Sequence, residues 1–320
     1  MEVGTQSDFI IYEDEFFAGA YEVIEQNVQV FNGPSRGSIR LITDPHRGDW
    51  RKRSFFQTVS GGLIARRDPS TDQNVTSAKL AQDDAKEPKC SRRIGPVENT
   101  LSSFKKIDED PRVMSFILGQ QTGPEMWQNH VNTAIMAVEA ALEGVVALSE
   151  DDSAGTITTN GLIDALAKMG DQAARIVAWV MHSKVFYDLV KEQKALNVTD
   201  ISSVNIMEGM PITMNRPVIV TDSSSLYTSG TTTQYSTLGL VADGVVIRES
   251  EAREIVTETI TGKENLNLRI QGEYAITVGV KGFDFTGSAN PNDAALASSG
   301  NWSQVAADVK SCAGVRLLTS

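Results

Sequence analysis

Two cysteines in 320 residues, Cys90 and Cys312, are too few for a disulfide framework, so reduced thiols in a cytoplasmic setting are the expectation. His46, His130 and His182 stand far apart, and neither cysteine has a second ligand at a recognised spacing, which leaves no metal site to expect. No apolar run approaches the roughly 20 residues that cross a bilayer, so no membrane partner is expected. The first residues, MEVGTQSDFIIYEDEFF, are acidic where a secretory signal would be basic. No repeat of fixed period appears. Excess positive charge is also missing: a formal net charge of −12 argues against general affinity for nucleic acid, although it does not bar a protein that encloses nucleic acid behind an acidic wall.

What is present is sharply patterned. Glu2, Asp8, Glu13, Asp14, Glu15, Glu22 and Glu25 occur before any Lys or Arg, and apolar residues among them predict a helix with one apolar face, ended near Asn32-Gly33-Pro34. The charge then reverses through Arg36, Arg40, Arg47, Arg51, Lys52, Arg53, Arg66 and Arg67, with Trp50, Phe55 and Phe56 among them. Basic residues interleaved with aromatics can bind nucleic acid. The acidic neighbour in sequence offers a protein partner instead, on the same or another copy.

From Arg36 to Ser102 the chain reads as extended pieces broken by Gly, Pro and Asp. They are too polar to form a core alone, and a long hairpin arm leaning on another molecule is the expected outcome. Next comes the longest helical signal, Thr122 to Leu148. Met126, Trp127, Val131, Ala134, Ile135, Val138, Ala141, Leu142 and Val145 form one apolar stripe, with Thr122, Pro124 and Glu125 read as its start. Such a helix would span about 40 Å.

Past Asp152, a helix over GLIDALAKMG, a buried strand RIVAWVM, a helix SKVFYDLVKEQKAL capped by Ser183, and a strand PVIVTD predict a small α/β unit. The last third reads as β structure: Leu238–Ser250, EIVTETIT and LNLRIQGEYAITVGVKGFDFT, then a helix near Ser303–Lys310 and a final strand GVRLLT. Chemistry is hard to find. His182 beside Ser183 lacks triad geometry on a strand and is expected to cap its end; Asp164, Asp171 and Asp188 fit helix surfaces; the glycines match no phosphate-binding loop. No catalytic or cofactor-binding residue is expected, and the protein is read as a non-enzyme.

In this order the elements resemble a major capsid protein of a tailed bacteriophage, of the α+β HK97-like fold. The local likeness lies in residues 160–222, where GLIDALAKMGDQAARIVAWVMHSKVFYDLVKEQ precedes GMPITMNRPVIVTD, and in VVIRES and GEYAITVGVKGFDFT of residues 238–286. The resemblance implies an N-terminal arm (1–35), an extended β-hairpin or E-loop (36–102), a peripheral domain with a spine helix (103–152 and 236–285) and an α/β axial domain (153–235 and 286–320). It implies self-assembly into hexamers and pentamers of an icosahedral head enclosing double-stranded DNA without sequence-specific binding. Portal and scaffolding proteins, and a decoration protein, are the other partners it suggests, with assembly in the host cytoplasm and residence in the virion. The absence of a long helical region before the arm suggests a separate scaffolding protein or a removed leader. An encapsulin-like nanocompartment shell is the alternative, and a soluble α/β enzyme a third reading. Inter-subunit contacts are expected from Glu13, Asp14 and Glu15 toward Arg51, Lys52 and Arg53, and from Arg66, Arg67, Arg92 and Arg93 toward carboxylates of a neighbour.

Overall fold

A computed structural model describes residues 35–56, 64, 67–72, 74–75, 77, 82–103, 111–196, 213–230, 232–262 and 264–320. Two sheets and one long helix organise them. The first sheet has five strands in the order β1–β9–β10–β3–β2. Its members are β1 (Ile39–Thr43), β2 (Trp50–Phe56), β3 (Gln82–Thr100), β9 (Val245–Ile260) and β10 (Asn267–Val280). β1 runs parallel to β9, and the other pairings are antiparallel. β3 is shared: its first residues pair with β2, from Phe56↔Gln82 to Trp50↔Pro88, and the rest pair with β10, from Thr277↔Lys89 to Asn267↔Thr100.

The second sheet is ordered β4–β13–β8–β5–β6, with the short β7 (Tyr227–Thr228) also on β8. It comprises β4 (Ser149–Asp152), β5 (Ile176–Met181), β6 (Val218–Val220), β8 (Gln234–Val241) and β13 (Gly314–Thr319). β5 and β8 are buried along most of their length because they lie inside the sheet with both faces covered. Trp179 lies fully buried across Gly239, where an added Cβ would stand 2.7 Å from the indole. A separate two-stranded ribbon joins β11 (Phe283–Phe285) to β12 (Trp302–Gln304).

Helix α1 (Pro111–Glu143) passes against both large sheets. Met126, Val131, Ala134, Ile135, Val138, Ala141 and Leu142 of the expected stripe are buried, and Ala137 and Ala140 are buried with them, so most of the helix circumference is covered. The alanines permit that close approach on several sides. The helix begins eleven residues before the start signal read at Thr122, and Pro124 lies inside it. A proline removes one backbone donor and strains the preceding turn without forbidding helix on both sides; a pattern that resembles an N-terminus was therefore a helix interior.

Around this frame, α2 (Thr159–Ala167) packs on β13 and β4, α3 (Ser183–Leu196) follows β5, and the single turn α4 (Asp293–Leu296) packs on α1. Thr158 caps α2 by accepting the Gly161 N–H at 3.1 Å. Thr158→Ala is expected to cost about 1 kcal/mol, measured as a lower urea midpoint with an unchanged slope. At α3 the cap is His182, not Ser183: its Nδ1 accepts the Lys184 N–H at 3.2 Å.

Two sequence readings change, and one gains detail. Within Leu238–Ser250, read as β structure, the turn at Ala242–Gly244, with Asp243 at φ +53°, sends β8 into one sheet and β9 into the other. Residues 36–102 are not a free arm throughout, since β1 and the later part of β3 are built into the five-stranded sheet, with Ile39 and Cys90 in the core. The helix expected near Ser303–Lys310 is instead β12 followed by a short 3-10 turn, Val309–Ser311.

Candidate functional site

Among the described residues, the histidine, serine and cysteines with catalytic potential lie in structural settings. His182 caps α3, rests against the rings of Tyr227 and Tyr235, and places Nε2 3.5 Å from Asp222. The Ser183 hydroxyl donates to Asp222, holding that carboxyl below its usual range, so hydroxyl and imidazole do not form a nucleophile–base pair. Cys90 and Cys312 are buried free thiols whose pKa values burial pushes up to about 12, which leaves them protonated and unreactive at neutral pH. Among the described residues no group of three or more His, Cys, Asp or Glu is arranged to hold a metal ion, and no described helix is long and apolar enough to cross a membrane.

The charged side chains that matter instead lie where α1 and the strands meet. Glu87 of β3 accepts from Arg248 at 2.5 Å and Arg51 at 3.4 Å, and Asp44 faces the same two guanidiniums at 3.6 and 3.0 Å. These four residues close the corner where β2, β3 and β9 converge. Lys89, buried in β3, reaches Glu251 at 2.5 Å. Arg92 donates to Asp293 of α4 at 2.6 Å and to Thr133 of α1 at 3.2 Å, tying strand, turn and helix together. Farther along α1, Glu139 accepts from Arg316 of β13 and from Ser236 of β8, each at 3.0 Å. Burial pushes the Glu139 carboxyl above its ordinary pKa, with Arg316 opposing the shift.

The contact residues expected from the sequence divide into three sets. Glu13, Asp14, Glu15 and Arg66 lie outside the described residues. Arg51 and Arg92 have the partners just named within the chain. Lys52, Arg53, Arg67 and Arg93 are exposed. Arg93 lines a groove of about 820 Å³ between β3 and α1, whose walls include Ile94, Met126 and Tyr274. Sequence reasoning missed Glu139, Arg316, Glu87 and Arg248, because the partners are separated by 177 and 161 positions. For Glu139 and Arg316 the local signal was a charged residue in an otherwise apolar run; Glu87 sits among other charges and gave none.

A family model matches nearly the whole of this chain. The model of the Gp13-like family, described as major capsid protein 13-like, aligns with residues 8–316. The chain belongs to that family. A sequence search of curated proteins finds no match. The fold of this capsid protein is similar to the capsid asymmetric unit of cyanophage Pam1, with a TM-score of 0.55 at 14% identity over 91% of this chain and 93% of the other. It is similar to the capsid of Helicobacter pylori bacteriophage KHP30, with a TM-score of 0.55 at 10% identity over 90% and 89% of the two chains. A structure of Microbacterium phage Oxtober96 gives a TM-score of 0.55 at 9% identity over 89% and 90%. The resemblance to a tailed-phage major capsid protein is thereby borne out, and the encapsulin alternative is not favoured. The protein is a capsid shell subunit.

Proposed function

We propose that this capsid protein closes into an icosahedral head of hexamers and pentamers around double-stranded DNA, using the parts of the HK97-like fold. The observation that carries this reading is the family match across residues 8–316, nearly the whole chain. In it α1 is the spine helix. Residues 103–152 and 236–285 are assigned to the peripheral domain, 153–235 and 286–320 to the axial domain, and 36–102 to the E-loop region, preceded by the arm 1–35. β4 and β8 pair into the sheet of β5 and β13, so that sheet draws strands from both ranges. The role is structural, not enzymatic.

Shell contacts follow the charge pattern. The acidic arm, with Glu13, Asp14 and Glu15, meets the exposed Lys52 and Arg53 of a neighbouring copy, and Arg66, Arg67 and Arg93 meet carboxylates of a neighbour. Arg51 and Arg92 serve mainly to shape the surface that carries them, given their partners within the chain. Single exposed pairs contribute only about 0–1 kcal/mol, and repetition over a closed shell multiplies each one. The net charge of −12 suits a wall that encloses DNA without sequence-specific grip. Portal, scaffolding and decoration proteins complete the expected partners, with assembly in the host cytoplasm.

Expression of the chain followed by size-exclusion chromatography and negative-stain microscopy tests the shell itself; a monodisperse small species under all assembly conditions would remove the proposal. The charge contact has its own test. Lys52→Glu with Arg53→Glu should leave the circular dichroism of free subunits unchanged while lowering the yield of closed particles about tenfold or more, as like charges meet at every copy of the contact. Particles at wild-type yield would refute that contact.

A further inference from the structure

Two of the places that hold helix α1 carry a buried ionisable group of its own. Its rear seat is the Arg316–Glu139 pair on the six-stranded sheet. Its forward seat is His130, buried at 4% exposure against the five-stranded sheet. There Nδ1 lies 2.6 Å from the Met126 carbonyl oxygen, so this nitrogen carries the proton and donates it. Nε2 is left as a buried lone pair with no hydrogen-bond partner among the described residues. It faces Glu249 Oε1 at 3.9 Å, too far for a hydrogen bond.

The groups around the imidazole come from every element packed on it. β9 supplies Glu249 and Arg253, which pair with each other; β3 supplies Arg92, paired with Asp293 of α4; β10 supplies the Tyr274 ring at 5.7 Å. An added proton is an extra charge in a closed space, opposed by Glu249, whose carboxylate is already paired with Arg253.

We propose that His130 is an acid-sensitive seat: its protonation releases the forward part of α1 from the five-stranded sheet, while Arg316 and Glu139 keep the rear part on the six-stranded sheet. The result is a hinge within the subunit, with the long helix moving as part of one sheet and away from the other. Burial pushes the His130 pKa down, outweighing the opposing pull of Glu249. A histidine with a folded pKa below its unfolded value of about 6.5 contributes stability that is present above that value and lost as pH falls toward the folded pKa. Glu139 has the reverse sign. Its folded pKa is raised, so uptake of a proton on acidification is favoured by the fold and the rear seat does not weaken through that group.

Amide hydrogen exchange of the purified protein at about pH 7.5 and about pH 5.5, corrected for intrinsic rates, reads both seats separately. Acid should speed exchange in residues 119–135 and 270–276 by about tenfold or more, with 139–143 and 314–319 unchanged. His130→Gln should abolish the acid response of the forward region. Glu249→Gln removes the group that favours the imidazolium and should move the midpoint to lower pH. An acid response that persists in His130→Gln, or that starts at the rear seat, overturns the proposal. Should His130→Gln fail to fold, an unshifted midpoint in Glu249→Gln overturns it equally.

Discussion

Arg316→Met is expected to cost about 3–5 kcal/mol, a large part of the roughly 5–15 kcal/mol that holds a domain folded. Arg316 is only 8% exposed, and its guanidinium serves several acceptors at once. Nε lies 3.0 Å from Glu139 and 3.2 Å from Ser236, one terminal nitrogen lies 3.4 Å from Ser149, and the other 3.7 Å from Glu143. These acceptors belong to α1, β8 and β4, so one side chain joins the long helix to two strands beside β13. Its removal leaves Glu139 buried beside Ser236 without a counter-charge, which is the expensive outcome. Replacing both members, Arg316→Met with Glu139→Met, removes the orphan and should recover most of the loss. Urea denaturation of the single and double variants measures the coupling directly. A single variant within about 1 kcal/mol of wild type, or a double variant no better than the single, would show that the pair does not hold the helix.

Ile135→Asp is expected to abolish folding. Ile135 is completely buried in the middle of α1, within the apolar core. An uncompensated charge there costs several kcal/mol beyond the lost apolar contact. Gln128, on the same helix but exposed, supplies the control: Gln128→Asp should fold normally. Soluble yield and circular dichroism distinguish the two. Equal folding of both would mean that the buried stripe of α1 is wrongly assigned, and with it the core between the sheets.

The long helix was legible because its signal is local. Residues from Met126 to Leu142 repeat at three and four, and burial follows that repeat in the structure. Its beginning was not legible, since Thr122, Pro124 and Glu125 satisfy a start rule without marking a start. His182 was readable as a cap at the end of β5, while Ser183 drew the wrong assignment for α3, because two adjacent polar residues offer the same local chemistry. His130 gave no sign in sequence. A solitary histidine on an apolar stripe gains meaning only when Glu249, Arg253 and Tyr274 arrive from strands more than a hundred residues away.

Composition and periodicity alone determined that this chain is an α+β protein with one dominant helix, and an acidic beginning followed by a basic stretch. Those properties depend on neighbours within a few residues, where backbone preference and side-chain spacing act directly. Tertiary structure decided the rest: that β8 and β9, three residues apart, belong to different sheets; that β3 serves two partners; and that Arg316 meets Glu139. Such choices turn on contacts between distant segments, where burial of shared apolar faces and the need to neutralise each buried charge select one pairing among many that the local sequence would allow.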